Sequence, residues 1–216
     1  MNAMEEMSTF DLGTFLDALD GIAYVADPEG IILATCSGAW VEFSVANQAH
    51  LPTESVVGRS LFEIIRGEEV RAAHRALHQK VLRDGRQLSF EYRCDAPDRE
   101  RRMKMSLGPL RNRAGAMAGV LYQSTLLSET TRIPLPFLSS EELLAAWEDE
   151  RTRPVVGVCA WCADVRLQGR WIPPDEYYRR GGRAGVRLSH GICPGCRETL
   201  LEPLLADTSR RLQSGG

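Results

Sequence analysis

Ile22-Ala-Tyr-Val-Ala-Asp-Pro-Glu-Gly-Ile-Ile-Leu-Ala-Thr35 decides the first part of the chain. Two short runs rich in β-branched and aromatic residues flank Asp27-Pro-Glu-Gly30, and Asp-Pro-x-Gly is turn chemistry, so the stretch predicts a β-hairpin. Before it, Thr9 to Leu19 reads as a helix. After it come short helices over Ala39 to Asn47 and, past the turn Val56-Val-Gly-Arg-Ser60, over Leu61 to Ile65. The longest helical pattern, Glu68 to Arg83, stops at Asp84-Gly85, with the glycine as its C-terminal signal. Three strands follow, Gln87 to Cys94, Arg102 to Leu110 and Met117 to Leu126, with apolar alternation in Leu88, Phe90, Tyr92 and in Met103, Met105, Leu107. Short turns between sequential strands make them antiparallel. The expectation is an α+β fold, one five-stranded antiparallel sheet with helices on one face.

Three of these features, the hairpin at Asp27-Pro-Glu-Gly30, the turn Val57-Gly-Arg-Ser-Leu-Phe62 and the helix closed by Asp84-Gly85 ahead of three strands, resemble the PAS domain in their order. The resemblance covers about residues 10 to 128. It implies a sensory or interaction module whose helices and sheet enclose a pocket, commonly a homodimer, with no catalysis of its own.

Residues 129 to 138 contain two prolines and no periodicity, which reads as a linker. Ser139-Ser-Glu-Glu142 is a capping box that opens a connecting helix through Glu150. The expected organisation is therefore a sensory domain over 1–128, a linker and helix over 129–150, and a second module over 151–216. Charge divides at the same place: residues 151–216 hold eleven Arg, no Lys and six acids, a net +5, against −8 for the rest. No apolar run reaches the roughly 18 residues of a membrane span, and the N-terminus has no basic start followed by an apolar stretch. These features predict a soluble, cytoplasmic protein with no membrane partner.

In such a compartment, paired CxxC spacing means metal rather than disulfides. Cys159-Ala-Trp-Cys162 and Cys193-Pro-Gly-Cys196 are two such knuckles, each a tight turn able to present two sulfurs to one ion. Zinc at four thiolates is the usual filling, and it would fold a module with few large apolar side chains. His190, three residues before Cys193, is an alternative ligand or a donor to a sulfur. Trp161, Trp171, Ile172, Tyr177 and Tyr178 are the expected packing partners. The segment resembles a short cysteine module at the C-terminus of some bacterial PAS proteins and response regulators. Cys36 and Cys94 read as small buried side chains.

On the long helix, Val70, Ala73, Leu77 and Val81 form the inward stripe, with His74 inside it and His78 at its edge. Haem-binding members of the PAS family place their ligating histidine on this helix, so the resemblance offers haem b at His74. Against it, the aromatic residues that follow that histidine are replaced by Arg75-Ala-Leu, and a histidine bonded to a backbone carbonyl is the plainer account. The flavin-binding type needs a cysteine within Ala39 to Asn47, where none stands.

Arg179, Arg180, Arg183 and Arg187 make a glycine-rich basic loop between the knuckles, either a nucleic-acid contact or a solvated surface. No P-loop, Gly-x-Ser-x-Gly or HExxH motif occurs, which argues against an enzyme. The expected function is a sensory protein whose zinc module relays a signal to an unknown protein partner. The alternatives are a DNA-binding regulator and a haem-based gas or redox sensor.

Overall fold

The computed structural model describes residues 11–46, 55–96, 98–133, 154–182 and 186–206. The connecting helix expected over 139–150 lies outside them. Helix α1 (Leu12–Asp17) starts at Asp11, whose carboxylate accepts from the Thr14 N–H at 3.0 Å and the Thr14 hydroxyl at 2.6 Å. Such a cap satisfies one of the orphan donors of the first turn. Strands β1 (Ile22–Ala26) and β2 (Ile32–Thr35) form the hairpin. In its turn the Asp27 carboxylate accepts from the N–H groups of Glu29 and Ile31, at 3.0 and 2.7 Å. That side-chain mimicry of a backbone turn is why Asp opens it.

Helices α2 (Gly38–Ala46), α3 (Leu61–Ile64) and α4 (Glu68–Asp84) precede β3 (Leu88–Arg93), β4 (Arg99–Arg111) and β5 (Met117–Thr131). Helix α4 ends with Gly85 in the left-handed region, its N–H bonded to the Val81 carbonyl. The sheet runs β2-β1-β5-β4-β3, all neighbours antiparallel. Register puts Tyr24 opposite Tyr122, Tyr122 opposite Leu107 and Leu107 opposite Leu88, which fixes one inner face. Against that face Val70, Ala73, Leu77 and Val81 of α4 bury with Val120, Met105 and Phe90.

Strands β4 and β5 run further than the alternation foretells. They pair from Arg99 opposite Thr131, with a bulge between Arg102 and Met103, so residues 129–131 belong to the sheet and not to a linker. Their extension is polar on both faces and leaves no period-two signal. Cross-strand ion pairs from Arg99 and Arg101 to Glu129, at 2.5 and 2.7 Å, hold it instead.

The C-terminal unit is a smaller sheet, β8-β7-β6-β9, built from β6 (Val155–Cys159), β7 (Val165–Leu167), β8 (Arg170–Ile172) and β9 (Arg187–Gly191), with α5 (Pro174–Arg179) before β9. Strands β6 and β9 are parallel, from Val155 opposite Arg187 to Cys159 opposite Gly191. After them α6 (Pro194–Cys196) continues through a π-turn, Arg197–Leu201, into α7 (Glu202–Leu205). Val158, Val165, Ile172, Tyr177 and Val186 make a small core of its own. The larger core crosses between the units: Cys159, Trp161, Ile192, Cys193 and Leu201 are continuous with Phe90, Leu107 and Tyr122.

Candidate metal centre

Parallel pairing brings the two knuckles together. Because β6 and β9 run the same way, the turn after Cys159 and the turn after Gly191 emerge at one end of the small sheet. The sulfurs of Cys159, Cys162, Cys193 and Cys196 all lie within 4.8 Å of one another, and those of Cys162 and Cys193 are 3.7 Å apart. Backbone donors point at the cluster: the Cys193 N–H at Cys159 Sγ and the Cys196 N–H at Cys193 Sγ, each at 3.3 Å. Knuckle geometry is fixed by the Cys159 N–H on the Asp164 carbonyl, the Ala163 N–H on the Cys159 carbonyl and the Ala160 N–H on the Gly191 carbonyl. Ala163 takes a φ of 64°, a left-handed conformation held by that turn.

Four sulfurs this close cannot all carry charge unaided. The bond from Cys162 pulls the Cys159 thiol down to about 4. The same bond, with burial, pushes Cys162 far up, and burial raises Cys196 to about 12. A dication removes that conflict, since every ligand can then be a thiolate. The donor set fits a metal ion and is compatible with zinc, and with four protein ligands such a site is closed.

His190 forms no hydrogen bond to any sulfur among the described residues, and its Nδ1 is buried without a partner. Its own carbonyl packs on Gly67, at the start of α4. Glu69, the second residue of the helix, accepts from the Ile192 N–H at 3.0 Å and pairs with Arg197. On the other side of the cluster the Trp161 carbonyl accepts from the Arg93 N–H at 2.7 Å, at the end of β3, and the Trp161 ring meets Phe90 at 5.5 Å between centroids. Trp161 therefore packs on the first unit, not within the small core its sequence position suggests. Gly67, Glu69 and Phe90 carried no signal as site residues: a first-turn acid and an alternating strand aromatic have local explanations that suffice.

The helix-wheel reading of the histidines needs correction. His78 is 0% exposed. The hairpin turn and α3 fold over its edge of the helix: Nε2 meets the Pro28 carbonyl at 3.2 Å, Nδ1 meets the Tyr122 hydroxyl at 2.8 Å, and the Phe62 ring lies edge-on at 5.6 Å. In that arrangement the Nε2–H donates and Nδ1 accepts, leaving no nitrogen for iron. His74 is only half-buried as a residue, yet its Nδ1 is enclosed and unpartnered, and burial pushes its pKa down to about 4. Tyr24 stacks on Tyr122 at 4.7 Å and meets Trp40 edge-on, so aromatic rings fill much of the inner face near β1.

The basic residues disperse. Arg179 and Arg180 end α5, Arg180 pairing with Glu176, while Arg187 is half-buried at the start of β9. Arg183 lies outside the described residues. Cys36 is buried, with Sγ accepting from the Ala23 N–H at 3.2 Å, and burial pushes the Cys94 thiol up to about 11.

A family model described as PAS fold matches residues 16–132, more than half the chain. The chain belongs to the PAS-fold family. None of the curated proteins matches it. Among solved structures it is similar to the VqmA dimer of Vibrio cholerae, a LuxR-type receptor, at 16% identity over 59% of this chain and 52% of that one, TM-score 0.43. It is similar to the PAS domain of BvgS from Bordetella pertussis at 14% identity over 59% and 88%, TM-score 0.45. A sensory box histidine kinase of Vibrio cholerae follows at 13% over 59% and 97%, TM-score 0.37. The chain spans about half the length of the first of these. No helix among the described residues is long and apolar enough to cross a membrane.

Proposed function

We propose that the chain is a non-enzymatic signalling protein of a reducing, cytoplasmic compartment. In it the PAS unit responds to a small ligand or partner, and a zinc module held by Cys159, Cys162, Cys193 and Cys196 relays the response through protein contacts. The observation that carries this reading is the seam. Helix α4 and strand β3, which wall the PAS interior, are bonded to the two knuckles through Glu69 to Ile192 and through Arg93 to Trp161. A shift of either element moves a ligand turn of the metal, and by linkage the metal biases those elements in return. A closed four-thiolate site has no open position for water, which favours a structural ion over a catalytic one. Exposed Leu12 and Phe15 on α1 suit a homodimer through the PAS unit.

The test is hydrogen exchange on the full chain with and without a chelator, alongside native mass spectrometry for zinc and subunit count. Zinc removal raises exchange in residues 68–84 and 88–93 as well as in 154–206. Faster exchange confined to 154–206 would sink the relay. Retention of the whole chain on DNA at low salt, lost on substituting Arg179 and Arg180, would replace the protein partner with nucleic acid. A Soret band lost in His74→Ala would add haem.

A further inference from the structure

Between the end of β3 and the zinc module lies a partly enclosed cleft of about 210 Å³. Its apolar wall comes from Val158, Ala160, Pro174 and Leu188 of the module and Tyr92 of the sheet. Its charged members cancel: Arg93 is bonded to Asp95 at 2.5 Å and to Glu100 at 3.0 Å, and Asp95 also pairs with Arg132 at 3.0 Å. The Cys94 thiol on its floor is held neutral by burial. One polar side chain there is unspent: His190 lines the cleft, and its imidazole has no hydrogen-bond partner among the described residues. Mostly apolar walls with a single convergent polar group are the composition of a small-molecule site. The volume exceeds the roughly 150 Å³ that encloses a benzene ring.

We infer that this cleft is a binding site for an uncharged molecule the size of one substituted ring, its hydrogen-bonding group directed at His190. The site differs from the interior that PAS helices and sheet enclose, because its walls come from both units. A molecule seated there touches β3 and the Cys159 knuckle at once, so occupancy tightens the docking of one unit on the other. It goes beyond the relay and does not depend on it, since binding could occur with no signal passed.

Phenol is the probe, titrated into the zinc-loaded full chain and followed by amide and side-chain NMR, with benzoate as the charged counterpart. Saturable shifts at Cys94, Ala160 and His190 are expected, with benzoate at least about tenfold weaker because its carboxylate would lose water beside apolar walls and charges already paired. Ala160→Leu narrows the cleft while keeping its backbone bond to Gly191, and weakens phenol by about tenfold or more. Leu188→Phe fills it from the opposite wall and serves where the first variant fails to fold. His190→Leu weakens phenol by about tenfold, while His190→Gln, which keeps a polar group at the end of the side chain, retains most of the affinity. Absence of saturable binding, equal binding of benzoate, or shifts centred on Tyr24 and Tyr122 that ignore Ala160→Leu would each overturn the assignment.

Discussion

Gly67 stands where the two units meet. With φ at 85° it occupies backbone territory that L side chains rarely enter, and a Cβ there would run into the His190 carbonyl. Gly58 shares a positive φ, 81°, but a Cβ at that position meets nothing. Both alanine variants should therefore lose the roughly 1–3 kcal/mol of a strained backbone. Only Gly67→Ala should also part the seam, seen in denaturation midpoints and in faster proteolysis of residues 154–206. Equal losses in the two variants would argue that the seam is not tight. His74 makes a separate prediction. Burial holds its folded pKa near 4, below the ordinary value of about 6.5. Between those values the unfolded chain binds a proton that the folded chain refuses. Stability is thus full above about pH 6.5 and falls as pH drops toward 4, by about 1–3 kcal/mol from this group. His74→Leu should flatten that slope in chemical denaturation at pH 7, 6, 5 and 4, leaving the contribution of the carboxylates.

Helix α4 explains why the element positions were readable while their burial was not. Its stripe of Val70, Ala73, Leu77 and Val81 follows the helical period, and its stop at Gly85 follows the cap rule. The flanks of the stripe obey no local rule. One flank carries His78 under the hairpin turn, and the other carries Glu69 against the second knuckle, contacts 50 and 123 residues away in sequence. A helix wheel sees neither. Lys80 is equally buried, and its ion pair to Asp84 at 2.6 Å shows how the helix keeps a charge at a packed position. The ladder of β4 and β5 failed in the opposite direction, its extension specified by Arg and Glu rather than by alternation. Glu69 tests the helix as a coupling element. Glu69→Ala removes a carboxylate that accepts a backbone N–H and pairs with a half-exposed Arg197. The ion pair alone contributes little at that exposure, so the expected loss is about 1–2 kcal/mol, mostly from the orphaned Ile192 N–H. Zinc affinity, measured by competition with a chromophoric chelator, should fall with it. Unchanged affinity would separate the helix from the metal.

At the scale of the whole molecule, the four cysteines were legible because two residues between ligands is a spacing with a mechanical reason. What the spacing could not convey was the other side of the module. Trp161 sits inside the first knuckle, yet its ring completes a core begun by Phe90, and one hydrophobic cluster serves both units. Such sharing answers how a small module with few large apolar side chains of its own can fold. It also binds the fate of the sheet to the four-cysteine cluster. Both edge strands of the five-stranded sheet carry a tie: β2 to the segment at Arg59 and Ser60, through the Ile32 N–H on the Arg59 carbonyl, and β3, at its last residue, through the Arg93 N–H on the Trp161 carbonyl. The first tie lies within the PAS unit, but the second depends on the knuckle staying in place.

An uncovered strand edge recruits other strands. Chelation should therefore yield not a quietly loosened domain but a self-associating one, with light scattering that grows with protein concentration and a β-rich circular dichroism signal that persists. A lysine placed on the outer edge by Ser89→Lys should suppress that association without restoring zinc. In this sense the cysteine cluster would act as a guard on solubility, and oxidation or metal starvation would be felt first as aggregation.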